Sequence, residues 1–156
     1  GMDLRSYIRK MGIAGLGGAV FPTDVKLSPG PQRKIDTLII NGAECEPYIT
    51  CDDRLMQERA MQIVHGIKIV LHILECDHCI IGIEDNKPDA IIAMNKAIQK
   101  QNNDQIEVTV IPTLYPSGGE KQLIKVLVNK EVPSRGIPAD IGLVCLNVGT
   151  CHAIFQ

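Results

Sequence analysis

Thr37-Leu38-Ile39-Ile40-Asn41 is a short, mostly apolar run of the kind that forms a strand buried on both faces. Its last residue opens a polar loop, Asn41-Gly42-Ala43-Glu44-Cys45-Glu46-Pro47. Beyond that loop, Asp52 to Glu75 places Met56, Ala60, Ile63, Val64, Ile67, Leu71 and Leu74 at helical spacing, with Gly66 a weak helix former inside a continuous stripe. Cys79 to Ile83 then reads as a second strand. The alternation continues with a helix over Pro88 to Lys100, a strand over Ile106 to Ile111, a helix over Gly119 to Val128, a strand over Leu143 to Asn147 and a further helix from Thr150. Upstream, Asp3 can cap a short helix through about Lys10 that Gly12 ends. Four strands alternating with helices predict an α/β fold, a parallel sheet with helices on both faces.

At 156 residues and 45% hydrophobic content, the chain reads as a single domain, residues 1–156, with a core of its own. Gly1 before Met2 and an end at Gln156, just as a helix begins, suggest a domain of a longer protein. A net charge of -2 with dispersed Lys and Arg argues against nucleic acid as a partner. His65, Lys68 and His72 break the longest apolar segment, so the chain reads as soluble, and its six cysteines as reduced thiols.

In an open parallel sheet the strand carboxyl ends share one edge, where loops distant in sequence can meet. Four segments are candidates for that edge. The first, Gly12-Ile-Ala-Gly15-Leu-Gly17-Gly18-Ala-Val-Phe21-Pro22-Thr23, leaves backbone N–H groups uncovered for a phosphate or a planar ring, though its glycines could equally serve only tight turns. In the second, Glu44 and Glu46 could accept ribose hydroxyls, or form an acidic surface turn. The others are Tyr115-Pro116-Ser117-Gly118-Gly119-Glu120-Lys121 and Asn147-Val148-Gly149-Thr150; the latter suits a phosphate at a helix start, or Thr150 is a plain cap. Lys26 and Lys121 could neutralise a phosphate, and Glu84 and Asp85 could edge the crevice. Phe21, Tyr48 and Tyr115 are available for ring stacking or for core packing.

Other chemistries fit poorly. The glycine run lacks Gly-Lys-Ser/Thr, and no strand precedes it, so it is neither a Walker loop nor a standard dinucleotide fingerprint. Cys76-Asp-His-Cys79 follows a helix C-terminus, where the dipole disfavours thiolate, and no second ligand pair completes a zinc site. The ferredoxin cysteine spacing is absent, so no iron–sulfur cluster is expected in this chain. His65 and His72 read as solvated residues of the long helix.

Together, Gly-Leu-Gly-Gly-Ala-Val-Phe-Pro-Thr with Lys26, Asn-Gly-Ala-Glu-Cys-Glu-Pro-Tyr-Ile-Thr, Tyr-Pro-Ser-Gly-Gly-Glu-Lys-Gln-Leu and Asn-Val-Gly-Thr resemble the flavin-binding domain of the C subunit of the Rnf electron-transport complex. More distantly, they resemble the flavoprotein subunit of respiratory complex I. The resemblance implies a bound FMN that takes a hydride from NADH and passes electrons to iron–sulfur centres outside this chain. It also implies other subunits of a membrane complex as partners, and a peripheral position on the cytoplasmic side of the bacterial inner membrane. By the same likeness Gly15, Gly17, Gly18 and Lys26 would line the flavin and nucleotide loop, and Phe21 would stack on nicotinamide or adenine. Asn41, Glu44 and Cys45 would contact FMN, Glu46 would border the NADH pocket, and Tyr115, Gly118 and Glu120 would close the site. Asn147 and Thr150 would hold the flavin phosphate. No catalytic nucleophile or base is implied. The sequence departs from relatives at Val20, where they carry a small residue, and at Gly119, where the complex I relative carries an acid. A cofactor-free docking domain, or the flavoprotein module of a cobalamin- or proline-reductase-linked system, are the alternative readings.

Overall fold

In a computed structural model, which describes residues 3–30, 32–44, 49–116 and 118–156, the chain folds around one four-stranded parallel sheet. Its strands are β1 (Thr37–Gly42), β2 (Cys79–Glu84), β3 (Ile106–Ile111) and β4 (Leu143–Asn147). Its helices are α1 (Leu4–Lys10), α2 (Thr23–Lys26), α3 (Cys51–Leu74), α4 (Pro88–Lys100), α5 (Glu120–Val128) and α6 (Val148–Phe155). The expected α/β class and the helices on both faces are what the structure has.

Alternation along each strand divides the core in two. Leu38 and Ile40 of β1, Ile81 and Ile83 of β2, and Val144 and Leu146 of β4 pack with α3, α4 and α6. Ile39, Leu143 and Cys145 point the other way, against Leu123 and Ile124 of α5. Leu38, Ile39 and Ile40 are all fully buried, which is why the first strand reads as an unbroken apolar run. Each such side chain contributes roughly 1.5–3 kcal/mol of burial.

Two glycines set the spacing of the layers. A Cβ on Gly82 of β2 would lie 2.9 Å from Leu123 Cδ1, so α5 rests directly on the strand. A Cβ on Gly66 would collide with the Cys151 carbonyl, so α3 and α6 cross in close backbone contact there. What looks in sequence like a weakness of the long helix is the notch that seats α6.

The strand order is β3-β2-β1-β4. The chain steps outward from β1 to β3, then returns across α5 to place β4 on the other side of β1. The return runs through the irregular stretch after Asn129, which contains a short 3-10 turn, Pro138–Ile141. β1 and β4 therefore flank the point where the winding reverses, and there a doubly wound sheet opens a crevice at its carboxyl edge. Asn41 and Asn147 are register partners at that edge.

Two local expectations need correction, and one short element was not expected. Helix α6 begins at Val148 rather than Thr150, because the Asn147 side chain accepts the Gly149 N–H and caps it. The four-residue helix α2 went unread, being too short to show a periodicity. His65 is not a simple solvated residue: its ring stacks on Phe155 with centroids 5.5 Å apart.

Candidate functional site

The crevice at the β1/β4 switch point has a volume of about 410 Å³. The glycine-rich run forms one wall by closing on itself. Gly15 N–H donates to Phe21 O at 2.8 Å, Thr23 N–H to Ile13 O at 3.1 Å, and Ala14 and Pro22 form an antiparallel bridge. Gly15, Gly17 and Phe21 of this loop line the crevice. A Cβ on Gly17 would sit 3.3 Å from Asn147 Cβ, so a side chain there would fill the cradle. Gly18, with φ of 92°, turns the loop and lies outside the lining. Val20 follows in the left-handed region at φ 50°, a costly conformation for a β-branched residue.

The floor is polar. Lys26, at the end of α2, donates to Glu120 Oε2 and to the Cys145 carbonyl, both at 2.9 Å. That ties α2, α5 and β4 together across the crevice and uses two of the three ammonium N–H bonds. Asn41 Nδ2 donates to the Gly118 carbonyl at 2.8 Å while its Oδ1 accepts the Ala43 N–H at 3.0 Å. At the opposite end the α6 N-terminus faces the crevice. There Thr150 Oγ1 accepts the Leu16 N–H at 3.0 Å, clamping the glycine loop to the helix. Phe21 and Tyr115 stand at the rim, 44% and 82% exposed.

The structure thus brings together Gly15, Gly17, Phe21, Lys26, Asn41, Tyr115, Gly118, Glu120, Asn147 and Thr150 around one opening. Cys45, Glu46, Tyr48 and Ser117 lie outside the described residues. Glu44 is placed differently from a lining residue. It is buried, and its carboxylate accepts the Asp52 N–H at 2.8 Å, the Asp53 N–H at 3.1 Å and the Cys51 thiol at 3.1 Å. It therefore serves as the missing N-terminal cap of α3, since Thr50 makes no side-chain cap of its own. That hydrogen bond is the first cause holding the Cys51 thiol above its usual value. Lys121 points away, donating to the Pro133 carbonyl. Neither Glu84 nor Asp85 edges the crevice: Glu84 is fully buried, and Asp85 accepts from the Thr113 N–H and hydroxyl. Cys76 and Cys79 are buried apart from it, and burial raises both thiols, Cys79 strongly.

Thr23, Cys145 and Leu146 also border the crevice, though their place in the sequence does not mark them as site residues. Thr23 is completely buried, and among the described residues its Oγ1 has no hydrogen-bond partner. A buried hydroxyl without a partner is an exception that asks for a physical reason, and here it lies beside the crevice. Its only signal in sequence was its place at the end of the glycine run.

The Nuo51 FMN-binding domain family matches residues 8–156. The chain is 58% identical over 151 residues to the C subunit of the ion-translocating oxidoreductase complex of Vibrio cholerae, covering 97% of this chain and 19% of that protein. It is 51% identical over 152 residues to the C subunit of the proton-translocating ferredoxin:NAD(+) oxidoreductase complex of Clostridium ljungdahlii, covering 97% of this chain and 33% of that protein. Its fold is similar to a chain in the crystal structure of an NAD+-reducing NiFe-hydrogenase in the H2-reduced state, with a TM-score of 0.82 and 24% identity over 97% of this chain and 29% of that one. The chain thus spans a third or less of the length of these relatives. Among the described residues, no helix is long and apolar enough to cross a membrane.

Proposed function

The chain belongs to the Nuo51 FMN-binding domain family and is homologous to the C subunits of ion-translocating oxidoreductase complexes, and from that premise we propose that it is a single FMN-binding, NADH-oxidising domain of a longer electron-transport protein. The observation that carries this reading is the crevice itself: four separate segments meet at the switch point around one opening. Its volume of about 410 Å³ lies in the range of small-molecule sites.

The residues present fit FMN. The bare backbone at Gly15 and Gly17 admits a flat ring, Lys26 and the asparagine amides supply donors, and the α6 N-terminus with Asn147 and Thr150 suits the phosphate. Gly118 and Glu120 close the opposite side, and Gly18 gives the glycine loop its turn. Glu44 acts one step back, by shaping the loop after β1. For Cys45 and Glu46, outside the described residues, family membership is the support for proposing a contact of Cys45 with FMN and of Glu46 with NADH. Bound there, FMN would supply the conversion of a hydride donor's two electrons into single-electron steps. The chain's own part is positioning. Phe21 and Tyr115 at the rim would stack the nicotinamide nucleotide, and the walls would hold water away from the transferring hydride. No side chain is needed as an acid or base. Electrons would then leave to iron–sulfur centres in other parts of the longer protein, with further subunits as partners, at the cytoplasmic face of the bacterial inner membrane.

The test is a titration of FMN fluorescence with the purified protein under reconstituting conditions, followed by anaerobic addition of NADH and, separately, NADPH. One-to-one quenching and bleaching by NADH in preference to NADPH support the reading. Unquenched flavin, or equal rates with both nucleotides, would overturn the flavin site or the nucleotide preference respectively.

A further inference from the structure

Behind the crevice lies a buried ion pair that the proposed chemistry does not use. Lys87 Nζ donates to Glu84 Oε2 at 2.9 Å, to Asn86 Oδ1 at 3.1 Å and to the Glu44 main-chain carbonyl at 3.1 Å, so its three N–H bonds are all engaged. Glu84 is fully buried, Lys87 is 8% exposed, and among the described residues Glu84 Oε1 has no partner. A half-satisfied buried pair is a poor device for stability, because desolvation offsets most of the attraction. Its position suggests another use.

From Glu44 the contacts run on without a break. The carbonyl of Glu44 is held by Lys87, and its carboxylate caps the first N–H groups of α3 at Asp52 and Asp53. The Asp52 carboxylate accepts Asn147 Nδ2 at 2.6 Å, and Asn147 Oδ1 accepts the Gly149 N–H at 2.7 Å. Asn147 is a wall of the crevice and the cap of α6, against which the glycine loop is clamped through Thr150 and Leu16. β2 is thereby linked, through the loop after β1 and the start of α3, to the phosphate end of the site.

We propose that Glu84 and Lys87 are positioning residues for the flavin site, acting through Glu44 and Asp52 to fix Asn147 and the α6 N-terminus. This rests on the flavin reading above. The charged pair supplies direction: Lys87 fixes the Glu44 backbone, which aims the Glu44 carboxylate at α3, and the orientation of that first turn sets where Asp52 meets Asn147. Because the members act in series, their loss should not compound.

The experiment is a double-mutant cycle on FMN affinity in the purified protein. Glu84→Gln with Lys87→Met removes both buried charges together, and Asp52→Ala removes the acceptor that meets Asn147 Nδ2 near the crevice. Each is expected to weaken FMN about tenfold, and the combined protein no more than about tenfold. Unchanged affinity, or a combined loss near one hundredfold, would overturn the relay. If the Glu84→Gln/Lys87→Met protein does not fold, Lys87→Arg takes its place in the same cycle. If the wild-type protein binds no FMN, the flavin reading fails instead, and the relay is read from amide NMR. The Gly149 and Leu16 N–H resonances should then shift on substitution at Lys87, and their constancy would refute it.

Discussion

Thr23→Val is the substitution whose two effects should have opposite signs. Valine copies the shape of threonine and removes only the hydroxyl, which is buried and unpaired beside the crevice. The backbone N–H of Thr23, which donates to the Ile13 carbonyl, is untouched. Leaving a buried hydroxyl unsatisfied costs about 1–3 kcal/mol, so in the flavin-free protein its removal should stabilise by about 1 kcal/mol at the low end. For a domain of this length that raises Tm by about 2–4 °C. If the hydroxyl meets FMN, the same change deletes a hydrogen bond worth about 1 kcal/mol and weakens binding about fivefold. Calorimetry without flavin and fluorescence titration with it read the two effects separately. A lowered Tm would mean that the hydroxyl has a partner in the folded protein, and an unchanged FMN Kd would remove Thr23 from the site.

Gly66→Ala should push a methyl group into the Cys151 carbonyl, a backbone atom that cannot swing aside, and cost about 3 kcal/mol in thermal or urea unfolding. Because α6 must shift, FMN affinity should fall with it; a stable, fully binding variant would refute the close crossing. Val20→Gly should relieve about 1–2 kcal/mol of left-handed strain while adding about 0.5–1 kcal/mol of unfolded-state entropy, a small net stabilisation measurable by denaturant titration. A loss of more than about 1 kcal/mol would show that the loop does not hold that conformation. The buried thiols predict an alkaline limit. Burial pushes Cys145 from an ordinary 9.0 up to about 12, and Cys79 and Cys151 upward as well, so the folded state disfavours their thiolates. Their contribution is fully present below pH 9 and is lost as pH rises toward 12, at up to about 1.4 kcal/mol per pH unit for each group. Unfolding at pH 8 and pH 10.5 checks this, and Cys145→Ala should flatten the decline.

The sheet was legible because its strands announce themselves in the simplest way. Leu38, Ile39 and Ile40 are buried on both faces, and a strand so covered has no polar positions to blur it. The convergence of the motifs was legible too, since all but the glycine run follow strand ends and a parallel sheet puts those ends on one edge. What sequence could not carry were the roles decided by packing. Glu44 reads as a ligand-facing acid beside Glu46, yet its carboxylate turns inward because the first turn of α3 lacks a side-chain cap and Lys87 holds the Glu44 carbonyl. Gly66 reads as a flaw in a helix until α6 is seen to cross there. Glu84 reads as an acid at the edge of the crevice, and only the fold buries it together with Lys87. Thr23 reads as the tail of a glycine run, and only burial exposes its hydroxyl as unpaired.

The most direct measurement is a crystal structure of the protein reconstituted with FMN. The isoalloxazine should lie between Gly17 and Gly118 in the β1/β4 crevice, with the phosphate at the start of α6 beside Asn147 and Thr150. Flavin density anywhere else on the domain, with the β1/β4 crevice left empty, would contradict the account.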